Sequence, residues 1–492
     1  MQAYEQGLRF SAAGRHLEAI GCFEQALAAK PDDARVLFAL GNTARDLGLA
    51  AAAENFFARV LAQEPGRLEA LVNLGNLLRS EGRFGEAIAL LAPALAHAPD
   101  SAELALTLGS AWRETGDHEK AAHFYRAALA ARPGYAPALA NLADLLADDG
   151  DAAGALDLYG RAIKSAPGNA QARLNRAVLH LLTGNLKDGW RDYAARLDIP
   201  GKVPVADRAF TAWDGGPLKG ARLLVRCEQG VGDQILFASL IPDLAARMDG
   251  PVTLECEPRL VPLFARSFPG VDVRPAVLKT VNGRVTADYG WLKGGAKAAV
   301  PMGTLPRHLR RALGDFPAPH AYLVPDAQER ARWRAAFPGE GPFIGICWRS
   351  GKTGGHRAAQ YAPLEAWGAF LRDMPGTPVV AQYDATDDEI AALKQISGRT
   401  IIVPQGIDQK NALDRTAAML SALDALISAP TAVSWLGAAT GTPTFKLLYD
   451  TSWTALGQPF EPFAPACRLI APAMRGDWTD VFRQTRAALA AL

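Results

Sequence analysis

The chain has 492 residues, too many for one small core, and two to four domains are expected. Apolar residues make up 49%, charged residues 21%, and the net charge is +1, so composition argues for a globular protein without electrostatic steering toward nucleic acid or an anionic membrane. The five cysteines include no C-x-x-C pair, which argues against zinc sites and a disulfide framework, and no apolar run is long enough for a membrane span. The first residues enter an amphipathic helical pattern with no basic-then-apolar leader, and the expectation is a soluble cytoplasmic protein.

Prolines at Pro31, Pro65, Pro99, Pro133 and Pro167 recur every 34 residues. Small residues keep the same interval at Gly7, Gly41, Gly75 and Gly109, and again at Ala19, Ala53, Ala87, Ala121 and Ala155. Bulky partners follow at Phe23, Phe57, Leu91, Tyr125 and Tyr159, and turn glycines at Gly14, Gly48, Gly82, Gly116 and Gly150. A fixed interval of this size marks stacked helix–turn–helix units, with small residues where helices cross. Residues 1–196 resemble the tetratricopeptide repeat, in about six units. In that family the first helix of each pair lines an inner groove, and the groove positions here carry Asn42, Asn73, Asn76, Asn141 and Asn175. An amide both donates and accepts, so such a ladder pairs with the backbone of an extended peptide. It is similar to the asparagine ladder of protein O-glycosyltransferases built on this repeat. Arg45, Arg79 and Arg113 form a second ladder; the alternative for both ladders is that these polar groove residues are simply solvated, the arginines being neutralised by neighbours such as Asp46 and Glu114.

The last unit departs from the pattern, with Gly189 where alanine stood and an added Trp190. A capping repeat exposes polar residues, so this one is expected to pack against the next domain and couple the two halves rigidly. Residues 197–219 hold three prolines and read as a linker, with the next domain starting near Gly220.

From there short β-branched runs alternate with helical stretches, the pattern of parallel α/β units. Strands are expected at 223–225, 252–254, 271–273, 343–346, 379–381, 400–403, 425–427 and 445–448, with a helix over about 234–248. The overall class is therefore α plus α/β: the repeat superhelix, then two Rossmann-like lobes at 220–340 and 341–492, with a cleft at the carboxyl ends of their strands. The loop Glu228-Gln229-Gly230-Val231-Gly232-Asp233 follows the first strand; its glycines allow close backbone approach, and Asp233 is either a helix cap or a functional carboxylate.

That loop, preceded by Gly189-Trp190-x-x-Tyr193-x-x-Arg196 and Trp213-Asp214-Gly215, resembles bacterial glycosyltransferases that fuse tetratricopeptide repeats to a heptosyltransferase-like (glycosyltransferase family 9-like) domain. Leu305-Pro306-Arg307-His308-Leu309, Ile344-Gly345-Ile346-Cys347-Trp348-Arg349-Ser350-Gly351 and the stretch from Asp414 to Pro443 match in order. The resemblance implies a GT-B fold, a nucleotide-sugar bound mainly by the second lobe, and Asp233 as general base, with Gln229, Gly230 and Gly232 in the acceptor-side loop. A phosphate leaving group needs positive potential; Thr431, Ala432, Val433 and Ser434 supply a helix N-terminus, and Arg349 and Lys352 add cations. His356 and Arg357 lie in a segment placed to close over the donor, and Gln382 and Tyr383 end a strand facing the cleft. Two positions depart from the family's Asp-Thr-Ala-x-x-His, Pro430 and Trp435, which points to a donor other than ADP-heptose. The D-x-D at Asp149-Gly150-Asp151 falls in a repeat turn, so a metal-independent transfer with no cofactor beyond the nucleotide-sugar co-substrate is expected. The implied function is protein O-glycosylation of a Ser or Thr on a protein held by the repeats, with flagellin and a CMP-linked nonulosonic acid such as pseudaminic acid as the narrower version. The alternatives are a UDP- or GDP-sugar transferase acting on another cytoplasmic protein, and a non-catalytic adaptor with a degenerate glycosyltransferase fold.

Overall fold

A computed structural model describes residues 2–228, 230–281, 283–318, 320–351 and 360–491. The chain divides into two compact units, 1–172 and 173–492.

The first unit consists of paired helices: Gln2–Ala12 with His16–Ala29, Ala34–Asp46 with Ala50–Gln63, Leu68–Ser80 with Phe84–His97, Ala102–Glu114 with His118–Ala131, and Ala136–Asp148 with Ala152–Ser165. The small-residue register has a steric cause. A Cβ on Gly7, Gly41, Gly75 or Gly109 would lie 2.5–2.8 Å from the ring or side chain of Phe23, Phe57, Leu91 or Tyr125, and all four partners are fully buried. The turn glycines Gly14 to Gly150 sit at φ between 71° and 85°, a region open to glycine at little cost. Gly41→Leu is therefore expected to overpack the second pair, costing about 1–3 kcal/mol; a thermal melt unchanged from wild type would count against this account of the repeat.

The second unit opens with the helix of the sixth repeat and its partner Leu186–Tyr193, extended by a 3-10 turn over Ala194–Asp198. The expected packing of the altered repeat is present within this unit. The Trp190 indole N–H donates to the Arg310 carbonyl at 2.8 Å, and its ring meets Tyr193, Trp453 and Phe463 edge-on. Gly189 has its own reason: a Cβ there would lie 2.6 Å from Leu181.

The segment expected to be a loop linker is instead woven into the first lobe. Val205–Ala206 (β1) pairs with a later strand, and Thr211 and Trp213 exchange backbone bonds with Ala299 at 2.8 and 2.9 Å. Proline and glycine there set the bends between these contacts. After β1 come β2 (Leu223–Arg226), β3 (Val252–Cys256), β4 (Asp272–Pro275), the hairpin β5 (Leu278–Val281) and β6 (Arg284–Ala287), and β7 (Ala298–Pro301). The main sheet runs β4-β3-β2-β7, all parallel; the side sheet runs β1-β6-β5. The second lobe has β8 (Phe343–Cys347), β9 (Thr377–Val380), β10 (Ala425–Ser428), β11 (Thr444–Leu447) and β12 (Cys467–Ile470), in the parallel order β12-β11-β10-β8-β9. β8, β10 and β11 are buried along their whole length, as strands covered on both faces must be.

Two expectations are corrected. The run 400–403 forms a single bridge, Ile402 to Val379, because Pro404 ends any ladder immediately after it. The helix expected over 234–248 is two, Val231–Ala238 and Ile241–Arg247, with Pro242 in the first turn of the second. Among the described residues no helix is long and apolar enough to cross a membrane.

Candidate active site

β2 ends at Arg226, and the chain turns through Gly230 into the helix Val231–Ala238. Gly230 occupies the N-cap position, so Asp233 is not the cap; it sits in the third helical position and its carboxylate accepts from the Gly230 backbone N–H. In the other lobe β10 ends at Ser428, and Thr431 caps the helix Ala432–Ala439 by accepting the Val433 N–H at 3.2 Å. The first turns of these two helices touch. A Cβ on Gly232 would lie 3.2 Å from the Trp435 ring and 3.6 Å from the Ala432 Cα, so only glycine allows this approach unchanged.

Around this contact opens a cleft of about 920 Å³, lined by both lobes. Gly230, Gly232 and Asp233 face it from the first lobe; Thr431, Ala432, Val433, Trp435 and Lys446 face it from the second. Burial pushes the Asp233 carboxyl up to about 6, and the neighbouring Glu228 carboxylate adds to the rise. Lys202, the Gly230 N–H and Lys446 oppose it. A carboxyl ionising near neutrality is suited to taking a proton from a hydroxyl.

The other expected donor residues divide. Ser434 is fully buried, and its hydroxyl donates to the Thr431 carbonyl at 2.7 Å, bracing the capped turn from behind. Arg349 is engaged elsewhere: it forms a two-point pair with Glu389 and donates to the Asp384 carbonyl. Burial alone would raise Glu389, but the Arg349 guanidinium, the Thr386 N–H and the Trp348 ring N–H hold it down at about 2. Gln382 is buried; its Oε1 accepts from the Trp348 and Arg349 backbone N–H groups at 3.0 and 2.9 Å, stapling the loop after β8 to the end of β9. Neither Arg349 nor Gln382 lines the cleft, whereas Tyr383 does. Gln229, Lys352, His356 and Arg357 lie outside the described residues.

The structure adds a group the sequence reading did not assign. Lys446 on β11 is almost completely buried, donates to Glu461 at 2.7 Å and sits 3.8 Å above the Trp435 ring. Thr454 and Ser452 bond the same Glu461 oxygen at 3.0 and 3.4 Å, and both line the cleft. The available signal was a charged residue inside the apolar run Phe445-Lys446-Leu447-Leu448, since lysine in a covered strand is rare unless paired. Among the described residues no cluster of three His, Cys, Asp or Glu is placed to hold a metal ion.

In the first unit the groove residues bond across neighbouring repeats. Asn73 donates to Asn42 at 2.7 Å, and Asn141 to the Ser110 hydroxyl at 3.3 Å. Asn76 accepts from Arg79 at 2.9 Å. Arg45 pairs with Asp46 and Arg79 with Glu114, the neighbours the sequence suggested; Arg113 pairs with Asp144 and Asp148. Asn175 falls in the second unit.

Comparison with known proteins agrees with the repeats. A tetratricopeptide repeat model matches residues 4–67, 72–136 and 141–201. The N-terminal two-fifths of the chain carries tetratricopeptide repeats. Protein FlbA of Caulobacter vibrioides is 35% identical over 324 residues, covering 64% of this chain and 54% of that protein. The chain thus spans about half the length of this curated relative, and the likeness is longer than the repeats, so it reaches into the second unit. Among solved structures, a thermophilic tetratricopeptide repeat protein of Thermus thermophilus is 27% identical, over 37% of this chain and 98% of that one, with a TM-score of 0.33. MamA is 24% identical, over 34% and 96%, with a TM-score of 0.30.

Proposed function

We propose that the second unit is a glycosyltransferase using a nucleotide-sugar, and that the repeats hold the polypeptide it modifies. The observation that carries this reading is the pairing of Asp233 with the capped turn of the helix Ala432–Ala439 across one cleft. Asp233 takes the proton of a Ser or Thr hydroxyl as the oxygen attacks the anomeric carbon. The bond from that carbon to the phosphate breaks, and the nucleotide leaves with its electrons. Charge developing on the phosphate is met by the N-terminal end of that helix and by Lys446. Within the family that the sequence resembles, flagellin glycosyltransferases share this architecture, which supports flagellin as acceptor and a CMP-linked nonulosonic acid as donor.

The test uses the full chain. Incubated with candidate flagellins and CMP-, UDP- or GDP-sugars, the wild-type protein is expected to add one sugar mass to an acceptor, read by intact mass. Turnover only with UDP- or GDP-sugars would reassign the donor; no turnover with any of them, while an acceptor still binds, would favour the adaptor reading. A second expectation concerns pH. Because the base must be ionised, kcat/KM should fall about tenfold per unit below an apparent value near 6; a flat profile from pH 5 to 8 would remove Asp233 from the role.

A further inference from the structure

On the second lobe the wall of the cleft carries a chain of hydrogen-bonded polar groups. Ser452, Trp453 and Thr454 follow β11 in a turn, and all three line the cleft. Trp453 anchors the turn: its ring lies 5.3 Å from the Tyr193 ring and 6.4 Å from that of Trp190. Thr454 is buried and Ser452 half-buried. Their hydroxyl oxygens stand 2.8 Å apart. Glu461 Oε1 lies 3.0 Å from the Thr454 oxygen and 3.4 Å from that of Ser452. The same Glu461 oxygen accepts from Lys446 at 2.7 Å.

The hydrogens in this chain can be counted. Two hydroxyl oxygens at 2.8 Å need a hydrogen between them. The Glu461 carboxylate, paired with Lys446, has none to give. Thr454 is the closer of the two hydroxyls to Glu461, so donation runs from Ser452 to Thr454 to Glu461. The reverse order, from Thr454 to Ser452 to Glu461, uses the same two hydrogens. Either way both hydroxyl hydrogens stay inside the cluster, and these hydroxyls offer the cleft only lone pairs. Lys446 is the opposite case: an ammonium group has three N–H bonds and no lone pair, and one of them goes to Glu461. An ionised phosphate brings no hydrogen, so it suits Lys446 and not the hydroxyls. A sugar hydroxyl or acylamino N–H suits the hydroxyls.

We propose that Ser452 and Thr454 read the sugar of the nucleotide-sugar, accepting hydrogen bonds from its hydroxyl or acylamino groups while Glu461 holds them in the accepting orientation. This inference rests on the glycosyl-transfer reading. Lys446 and the two hydroxyls share one carboxylate oxygen, so a group attached to a phosphate at Lys446 lies within their reach. The two residues set specificity for the sugar and take no part in bond breaking. A buried ion pair adds little to folding stability by itself; here it aligns the groups that meet the ligand.

The test titrates the full chain by calorimetry with paired probes: CMP and CMP-N-acetylneuraminic acid, UDP and UDP-N-acetylglucosamine, GDP and GDP-mannose. Ser452→Ala and Thr454→Val are each checked by thermal melting. Both are expected to bind the sugar-bearing member of the recognised pair about tenfold more weakly, the loss of roughly one hydrogen bond. Affinity for the bare nucleotide is expected to stay at the wild-type value. Thr454→Ser keeps the hydroxyl and is expected to bind both members as wild type does. Equal weakening of both members, or no change in a folded variant, overturns the proposal and leaves the transferase reading standing. A lower melting temperature with an unchanged ratio of the two affinities also overturns it, and assigns the cluster to the fold alone. If Thr454→Val fails to fold, Ser452→Ala decides. A wild-type protein that binds no nucleotide, with or without a sugar, removes the transferase reading and the sugar site with it.

Discussion

Asp233→Asn is expected to leave the protein more stable than wild type above pH 6 and, on the proposed transferase reading, to lower sugar transfer sharply. The two effects share one cause. Burial and Glu228 raise the Asp233 carboxyl from 3.8 in its ordinary state to about 6 in the fold. Below about pH 4 the folded and unfolded chains both carry the proton, and the shift costs nothing. Between 4 and 6 the unfolded chain releases it while the folded chain retains it, so stability falls as pH rises. Above 6 the deficit is complete, about 2–3 kcal/mol. The amide has no charge to bury and escapes that cost. Urea unfolding should therefore show Asp233→Asn gaining at pH 8 and matching wild type at pH 4, with turnover lowered about 10²–10⁴-fold. A variant that loses stability at pH 8, or one that keeps its turnover, contradicts the environment or the role described for this carboxylate.

The second large effect is expected at the Lys446–Glu461 pair. Both side chains are almost wholly out of water, at 4% and 0% exposure, and Glu461 carries a second oxygen with no bonding partner among the described residues. Breaking such a pair from one side strands the remaining charge, which costs about 3–5 kcal/mol. Among the described residues, Glu461→Leu leaves the lysine with the Trp435 face, and Lys446→Met leaves the carboxylate with the Thr454 and Ser452 hydroxyls. Lys446→Met together with Glu461→Leu should recover most of the loss, since an apolar pair carries no desolvation cost. The urea midpoints of the two single variants and the double variant form a cycle that measures this directly. Single variants within about 0.5 kcal/mol of wild type would mean that the pair is far better hydrated than its burial suggests.

The repeats were legible because their information is local and repeated. The interval from Pro31 to Pro167, and the match of Gly41 to Phe57 sixteen residues later, lie within one helical hairpin. The buried strands of the lobes were legible as apolar runs such as Phe343 to Ile346. β7 and β12 were not: Ala298-Ala299-Val300 is too small to stand out, and Arg468 interrupts Cys467 to Ile470. β1 is hidden in a stretch whose prolines and glycines mask two pairing residues. In the cleft, Asp233 and Thr431 follow strand ends directly, so motif and geometry coincide. Arg349 looked like a donor ligand because its partner Glu389 is 40 residues away, and nothing local announces that pairing. Lys446 went unassigned for the same reason, with Glu461 and Trp435 reaching it from other elements.

Gly232 makes the spacing of the two lobes a quantity that chemistry can dial. With hydrogen as its side chain, the backbone rests against the Trp435 edge; a methyl group at 3.2 Å would force the neighbours apart by a few tenths of an ångström. A reaction in which an oxygen must reach a carbon across that gap is sensitive to shifts of this size. The position thus acts as a shim between the halves of the pocket, and a graded series of larger groups there would trade closure for rate one step at a time.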